Sequence, residues 1–236
     1  MTTEPPSEAQ PIRSGLRASL ARLLNDSLDL IFPPRCANCG RVDATWCDHC
    51  AQALADLPLD VRLSCVEPLA GIASTGIHEG LLRSAVHVLK YENLPQLASP
   101  LGARLASVIR KQPWTIDRVV PVPLHFSRLA LRRYNQANLI AGELAARCGL
   151  PCAPQSLQRE RDTRVQVGLS RQERLDNVAG AFTANPAQVE GLNLLVVDDV
   201  YTTGATLAAC AQAALNAGAR SVYALTVTTA RPDLVL

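Results

Sequence analysis

The 236-residue sequence predicts an α/β fold built on a parallel sheet, and three observations carry that expectation. Leu194–Val197 is an uninterrupted β-branched and apolar run, the pattern of a strand buried on both faces. A strong helix pattern follows from Leu207 and stops at Gly218, and Ser221–Thr229 then reads as another strand. A second short apolar run, Val119–Val122, is ended by prolines at 121 and 123 and is also followed by a helix pattern. Strand, helix, strand in this order requires a crossover, hence parallel pairing. With 48% hydrophobic and 19% charged residues the chain is globular, long enough for one full α/β domain and a smaller appendage.

Taken in order, residues 1–13 are rich in Pro, Glu and Ser and read as a disordered tail. Leu16, Leu20, Leu23, Leu24, Leu28 and Ile31 recur at helical spacing until Pro33-Pro34. Residues 14–70 are expected to hold this helix and a small cysteine-rich finger, and 71–236 the main domain. Residues 51–75 read as a connector broken by Pro58 and Pro68. GLLRSAVHVLKY, Gly80–Tyr91, returns to helical spacing with Leu82, Val86 and Leu89 on one face, closed by Lys90, one of two lysines. A further helix is expected from Leu97 to Arg110. After Val122 a basic loop carries Arg128, Arg132 and Arg133, then a helix buries Ile140 and Leu144. Residues from Arg159 to Leu169 lack periodicity and read as an exposed loop leading into a helix over Ser170–Val178. Asp162, Thr163, Gln166 and Arg171 are candidates there for substrate contacts.

The eight cysteines are not uniformly spread. Cys36 and Cys39 form one CxxC pair and Cys47 and Cys50 a second. Two such knuckles can surround a tetrahedral zinc ion, which would stabilise a segment too small for its own core. Redox chemistry is the rival reading, but it expects one CxxC in a βαβ setting. Cys65, Cys148, Cys152 and Cys210 are scattered and read as buried small hydrophobes.

The chemistry is concentrated where the first strand meets its helix. Asp198 and Asp199 follow the apolar run, and Thr202, Thr203, Gly204, Ala205 and Thr206 precede the helix. Free N–H groups and the helix dipole favour a phosphate there, Gly204 permits close approach, and threonine hydroxyls add hydrogen bonds. Two adjacent acids can accept from a pair of neighbouring hydroxyls, as a ribose presents. A helix cap alone would need only one acid. Net charge is +2, but Arg118–Arg174 holds ten Arg against four acids and no Lys. Such an excess suits bidentate phosphate contacts or a solvated helix face.

LLVVDDVYTTGAT, Leu194–Thr206, resembles the thirteen-residue phosphoribosyl-pyrophosphate (PRPP) motif of type I phosphoribosyltransferases. The four-Cys finger, LKYEN, VPVPLHFSRLALRRYNQA and DTRVQVGLSRQERLDNVAGAF narrow the resemblance to the ComF family, over nearly everything from Cys36 to Ala230. The resemblance implies a type I phosphoribosyltransferase-like sheet behind a zinc-binding domain. It implies that Asp198 and Asp199 hold ribose hydroxyls and that Thr202–Thr206 hold the 5-phosphate. The basic loop of Arg128, Arg132 and Arg133, with Arg133 assigned to the ligand, fits a site for the pyrophosphate by its charge. The resemblance also implies magnesium bound with PRPP and a role in natural transformation, handling single-stranded DNA alongside competence-machinery proteins. Many members read RGFNQ here, whereas this chain has Arg133-Tyr134-Asn135-Gln136 after Arg132, without the glycine.

Two functions stay open on these grounds. One is a phosphoribosyl transfer enzyme with magnesium and an unidentified acceptor, its acid and base residues unassigned. The other is a module that senses PRPP or holds single-stranded DNA. The opening residues have no apolar core of a secretory signal, and no run reaches the roughly eighteen apolar residues of a membrane span. A cytoplasmic location is therefore expected.

Overall fold

In this computed structural model the described residues are 33–42, 44–161 and 180–230. The expected tail, the helix over Leu16–Ile31 and the segment holding Asp162, Thr163, Gln166 and Arg171 lie outside them. The chain divides into two units, residues 1–47 and 48–236. In the shorter one, an isolated antiparallel bridge joins Arg35 and Val42, and the turn between is closed by Gly40 N–H donating to the Cys36 carbonyl at 2.8 Å.

The longer unit runs α1 (Asp48–Asp56), β1 (Arg62–Ser64), β2 (Gly71–Ser74), α2 (Gly80–Tyr91) and a 3₁₀ turn (Pro95–Leu97). The turn leads into α3 (Ala98–Ile109), β3 (Arg118–Pro121), α4 (Phe126–Arg132) and α5 (Gln136–Cys148). Then come β4 (Leu157–Arg159), β5 (Phe182–Ala184), α6 (Pro186–Val189), β6 (Asn193–Tyr201), α7 (Ala205–Asn216) and β7 (Ser221–Thr229). Five strands form one sheet in the order β1-β2-β7-β6-β3, and β4 and β5 pair separately as an antiparallel ribbon. Only β1 is antiparallel in the main sheet; β2, β7, β6 and β3 are parallel.

Alternation along the strands sorts the core into two layers. Ile72, Val120, Leu194, Val196, Val222 and Ala224 pack with Leu207, Cys210, Ala211 and Ala214 of α7 in one cluster. Their neighbours Ala73, Val119, Leu195, Val197 and Leu225 are equally buried and point to the other face, by the strand period of two. That face is covered by α3 and α5, which touch β7, β6 and β3. The two helices pack closely at Gly102, where a Cβ would collide with Glu143 Cβ. β3 feeds α5 on one face while β6 feeds α7 on the other, so a crevice opens past the carboxyl ends of these adjacent strands.

Four expectations need correction. Residues 51–75 hold most of α1 and all of β1 and β2 rather than a mere connector; β1 is a three-residue, largely exposed edge with no periodic signal. The basic stretch after β3 is a helix, α4, in which no residue is buried. β6 does not end at Val197 but runs through both acids to Tyr201, because Asp198 pairs with Thr226 and Val200 with Thr228 on β7. Of the scattered cysteines only Cys210 is buried; Cys65 is exposed, and Cys148 and Cys152 are part-buried.

Candidate functional site

At the carboxyl ends of the parallel strands lies a cavity of about 480 Å³. β6 and the loop after it supply Asp198, Asp199, Tyr201, Thr202 and Gly204, and α7 begins with Ala205, Thr206 and Leu207 on its wall. Opposite stand Lys90 and Tyr91 from the end of α2, His78 from the loop after β2, Arg128 and Arg132 from α4, and Gln136 from α5. Thr203 is buried behind the loop, its hydroxyl facing the Ala205 N–H at 3.5 Å. Every predicted member of the motif except Thr203 therefore lines one cavity.

Local geometry explains the loop. Gly204 is the N-cap of α7 at φ +79°, a left-handed conformation that suits glycine, and it has no side chain with which to cap the helix. The first turn of α7 thus presents its N–H groups and positive dipole end to the cavity. A Cβ on Gly204 would meet Tyr201 Cε2 at 3.0 Å and Val66 Cγ2 at 3.1 Å, so the backbone is also packed tightly from behind.

The two acids have different surroundings. Asp198 shares the α7 side of β6 with Leu194 and Val196, and its Oδ1 accepts the Asp199 N–H at 2.8 Å. Burial, then the neighbouring Asp199 charge, push its carboxyl up from the usual carboxylate range to about 7, with Lys90 pulling the other way. Asp199 is 4% exposed, and its Oδ1 pairs with Lys90 Nζ at 2.7 Å. Burial alone would lower the Lys90 pKa, but the Asp199 charge and hydrogen bond leave it raised. Asp199 Oδ2 and Gln136 Oε1 are buried without a hydrogen-bond partner among the described residues. Buried acceptors of this kind are costly unless a donor reaches them, so both mark where ligand hydroxyl or amide groups would fit. His78 Nδ1 lies 2.8 Å from Thr228 Oγ1, and burial followed by Lys90 lowers its pKa, leaving a neutral imidazole at neutral pH.

The segment before α5 is tied down at three points. Tyr134 donates its hydroxyl to the Leu89 carbonyl at 2.5 Å, Asn135 Nδ2 donates to the Val122 carbonyl at 2.9 Å, and Asn135 Oδ1 caps α5 through the Ala137 N–H. Arg133, assigned to the ligand from sequence, is exposed and absent from the cavity wall; Arg128 and Arg132 are the arginines of α4 that reach it. Arg133 instead sits at the C-cap of α4 with φ +66°, a position that favours glycine. Arg133→Gly is expected to stabilise the chain by about 1 kcal/mol, because the left-handed penalty outweighs the entropy that glycine adds to the unfolded state. A thermal or urea midpoint no higher than that of the parent would contradict this.

Sequence reasoning missed Lys90, His78 and Gln136. Lys90 stands in LKYEN and Gln136 in RRYNQA, two of the segments that carry the family resemblance, but neither was given a role there; nothing in the sequence distinguished His78.

The thiol groups of Cys36, Cys39, Cys47 and Cys50 all lie within 4.8 Å of one another, with Cys39 and Cys47 sulfurs 3.6 Å apart. Four thiolates on one tetrahedral zinc would stand about 3.8 Å apart, so the donor set and its spacing fit that ion. Among the described residues no helix is long and apolar enough to cross a membrane.

No protein-family model matches the chain. The DNA utilization protein YhgH of Salmonella typhimurium is 32% identical over 194 residues, covering 79% of this chain and 85% of that protein. The chain belongs to the ComF family. Competence protein F of Haemophilus influenzae is 27% identical to this ComF chain over 181 residues, 74% of one and 75% of the other. Among solved structures, glutamine PRPP amidotransferase of B. subtilis, complexed with ADP and GMP, matches 60% of the chain and 30% of its own length. Identity there is 19% and the TM-score 0.43, so the fold of the ComF chain is read from its own sheet order.

Proposed function

We propose that the cavity binds PRPP, or a closely related 5-phosphoribosyl ligand, together with magnesium. The observation that carries this reading is that one cavity joins the phosphate loop Thr202–Thr206, the acid pair and the Arg128–Arg132 wall. The 5-phosphate would lie at the amino end of α7, the ribose hydroxyls against Asp198 and Asp199, and the pyrophosphate toward Arg128 and Arg132, whose guanidinium groups suit paired phosphate oxygens. Magnesium, held by oxygens of the ligand, would supply charge compensation for the pyrophosphate as its bond to C1 weakens. The residues present bind and orient such a ligand and would serve transfer or sensing alike. In the same chain we assign zinc to Cys36, Cys39, Cys47 and Cys50.

Titration calorimetry with PRPP and magnesium tests the ligand. The parent is expected to bind, and Asp198→Asn combined with Asp199→Asn to weaken binding by about 100-fold, the loss of two charge-assisted hydrogen bonds. Equal affinity in the double variant would remove the acids from the site.

A second reading, single-stranded DNA as partner, is favoured by α4. Phe126 is 74% and Leu131 88% exposed, beside Arg128, Arg132 and Arg133, and no acid occurs from 118 to 142. Exposed rings can stack bases while arginines track phosphates. The relatives include a DNA utilization protein and a competence protein, which agrees with that partner. Phe126→Ala with Leu131→Ala should weaken binding of a labelled oligonucleotide several-fold, and parent binding should fall steeply with salt. A flat salt response would exclude it.

A further inference from the structure

We propose that Lys90 is a positioning residue of the ribose-hydroxyl site, gripping one oxygen of Asp199 so that the other is presented to a hydroxyl of the ligand. The inference rests on the ligand reading above and deepens it, because it names what makes the pocket prefer a diol.

Asp199 is held at every polar atom but one. Its N–H is taken by Asp198 Oδ1 at 2.8 Å, its carbonyl faces the Thr228 hydroxyl at 3.4 Å, and its Oδ1 meets Lys90 Nζ at 2.7 Å. Oδ2 remains, buried and without a hydrogen-bond partner among the described residues. A carboxylate so fixed has one direction in which to accept a hydrogen bond, and a ligand hydroxyl can provide it. Lys90 is itself fixed. It lies in the last turn of α2, where the carbonyl of Leu89 accepts the Tyr134 hydroxyl and Val86, Val88 and Leu89 are buried.

The charge balance gives the same answer. Facing the pair are Asp198 on β6, His78 after β2, Arg128 and Arg132 on α4, and Arg159 on β4. Two bare carboxylates between a 5-phosphate and a pyrophosphate would repel both. With Lys90 neutralising Asp199, the middle of the site can hold a neutral diol while the two ends hold anions. Breaking such a pair from the lysine side leaves a buried carboxylate uncompensated and free to rotate.

The test compares the full-length parent, Lys90→Met and Lys90→Arg. Two probes share a five-membered ring and a phosphate: ribose 5-phosphate, and tetrahydrofurfuryl phosphate, which lacks ring hydroxyls. The parent is expected to prefer ribose 5-phosphate by about 10-fold or more, and Lys90→Met to reduce that ratio to about 2-fold, with Lys90→Arg restoring part of it. A uniform loss on both probes, with the ratio kept, would overturn the proposal. If the parent binds neither sugar phosphate, the ligand reading itself fails, and the lysine is then judged in the free protein by the Asp198 carboxyl NMR titration. Lys90→Met should move that midpoint upward, since the ammonium now pulls it down. An unmoved midpoint would show that Lys90 does not govern the acid pair.

Discussion

Asp198→Asn is expected to make the chain more stable at pH 8 while weakening its affinity for a phosphoribosyl ligand. In the folded chain the Asp198 carboxyl keeps its proton up to about 7, whereas in the unfolded chain it ionises near 3.8. Between those values the folded state binds more protons, so stability falls as pH rises from about 4 to about 7 and levels off above. The full interval would correspond to about 4 kcal/mol, and access of solvent from the cavity reduces this to about 2 kcal/mol. Asparagine has no such charge to bury, and its side-chain oxygen can still accept the Asp199 N–H. For a domain of this size, about 2 kcal/mol is a rise of about 4–8 °C in midpoint. Thermal melts of parent and variant from pH 4 to pH 8 should diverge with rising pH, the variant staying flat. Parallel curves would mean that Asp198 is not held protonated. The carboxyl is thus a liability to folding that makes sense at a binding site. Displacing its proton also predicts ligand affinity that rises toward pH 7.

That arrangement was only half legible in the sequence. The loop and both acids are contiguous, and the strand and helix around them have strong local patterns, so Asp198 to Thr206 could be read directly. Their unequal environments could not. Which acid is paired depends on α2 ending beside β6, a contact between positions 90 and 199 that no periodicity encodes. His78 enters the cavity because β2 pairs with β7, bringing it to Thr228. The same limit explains the errors elsewhere. β6 was expected over Leu194–Val197 because the apolar run ends there, yet the ladder to β7 carries it on to Tyr201. α4 gave no helical signal because it buries nothing. Arg133 looked like a ligand residue by charge, but the left-handed turn at the end of α4 sends it outside the wall while Arg128 and Arg132, four residues apart on one helical face, line it.

Gly204→Ala should damage fold and site together, and it separates the phosphate loop from the acids. At φ +79° a non-glycine residue costs about 1–2 kcal/mol, and the new methyl would press on Tyr201 at 3.0 Å and on Val66 at 3.1 Å. Relief of those contacts must push the backbone toward the cavity, for a total of about 2–3 kcal/mol of lost stability. The consequence for binding is larger than that figure suggests. The N–H groups of the first turn of α7 are aimed by Gly204, and a displacement of one ångström at such a cradle costs about 100-fold. Affinity for ribose 5-phosphate should therefore collapse even at temperatures where circular dichroism shows the chain folded. Ala205→Gly, which opens no clash and leaves the N-cap in place, is the matched control and should retain most of the affinity. If Gly204→Ala folds and binds the sugar phosphate as the parent does, the amino end of α7 is not what holds the phosphate. The acids and Arg128–Arg132 would then have to bind the ligand in the opposite orientation.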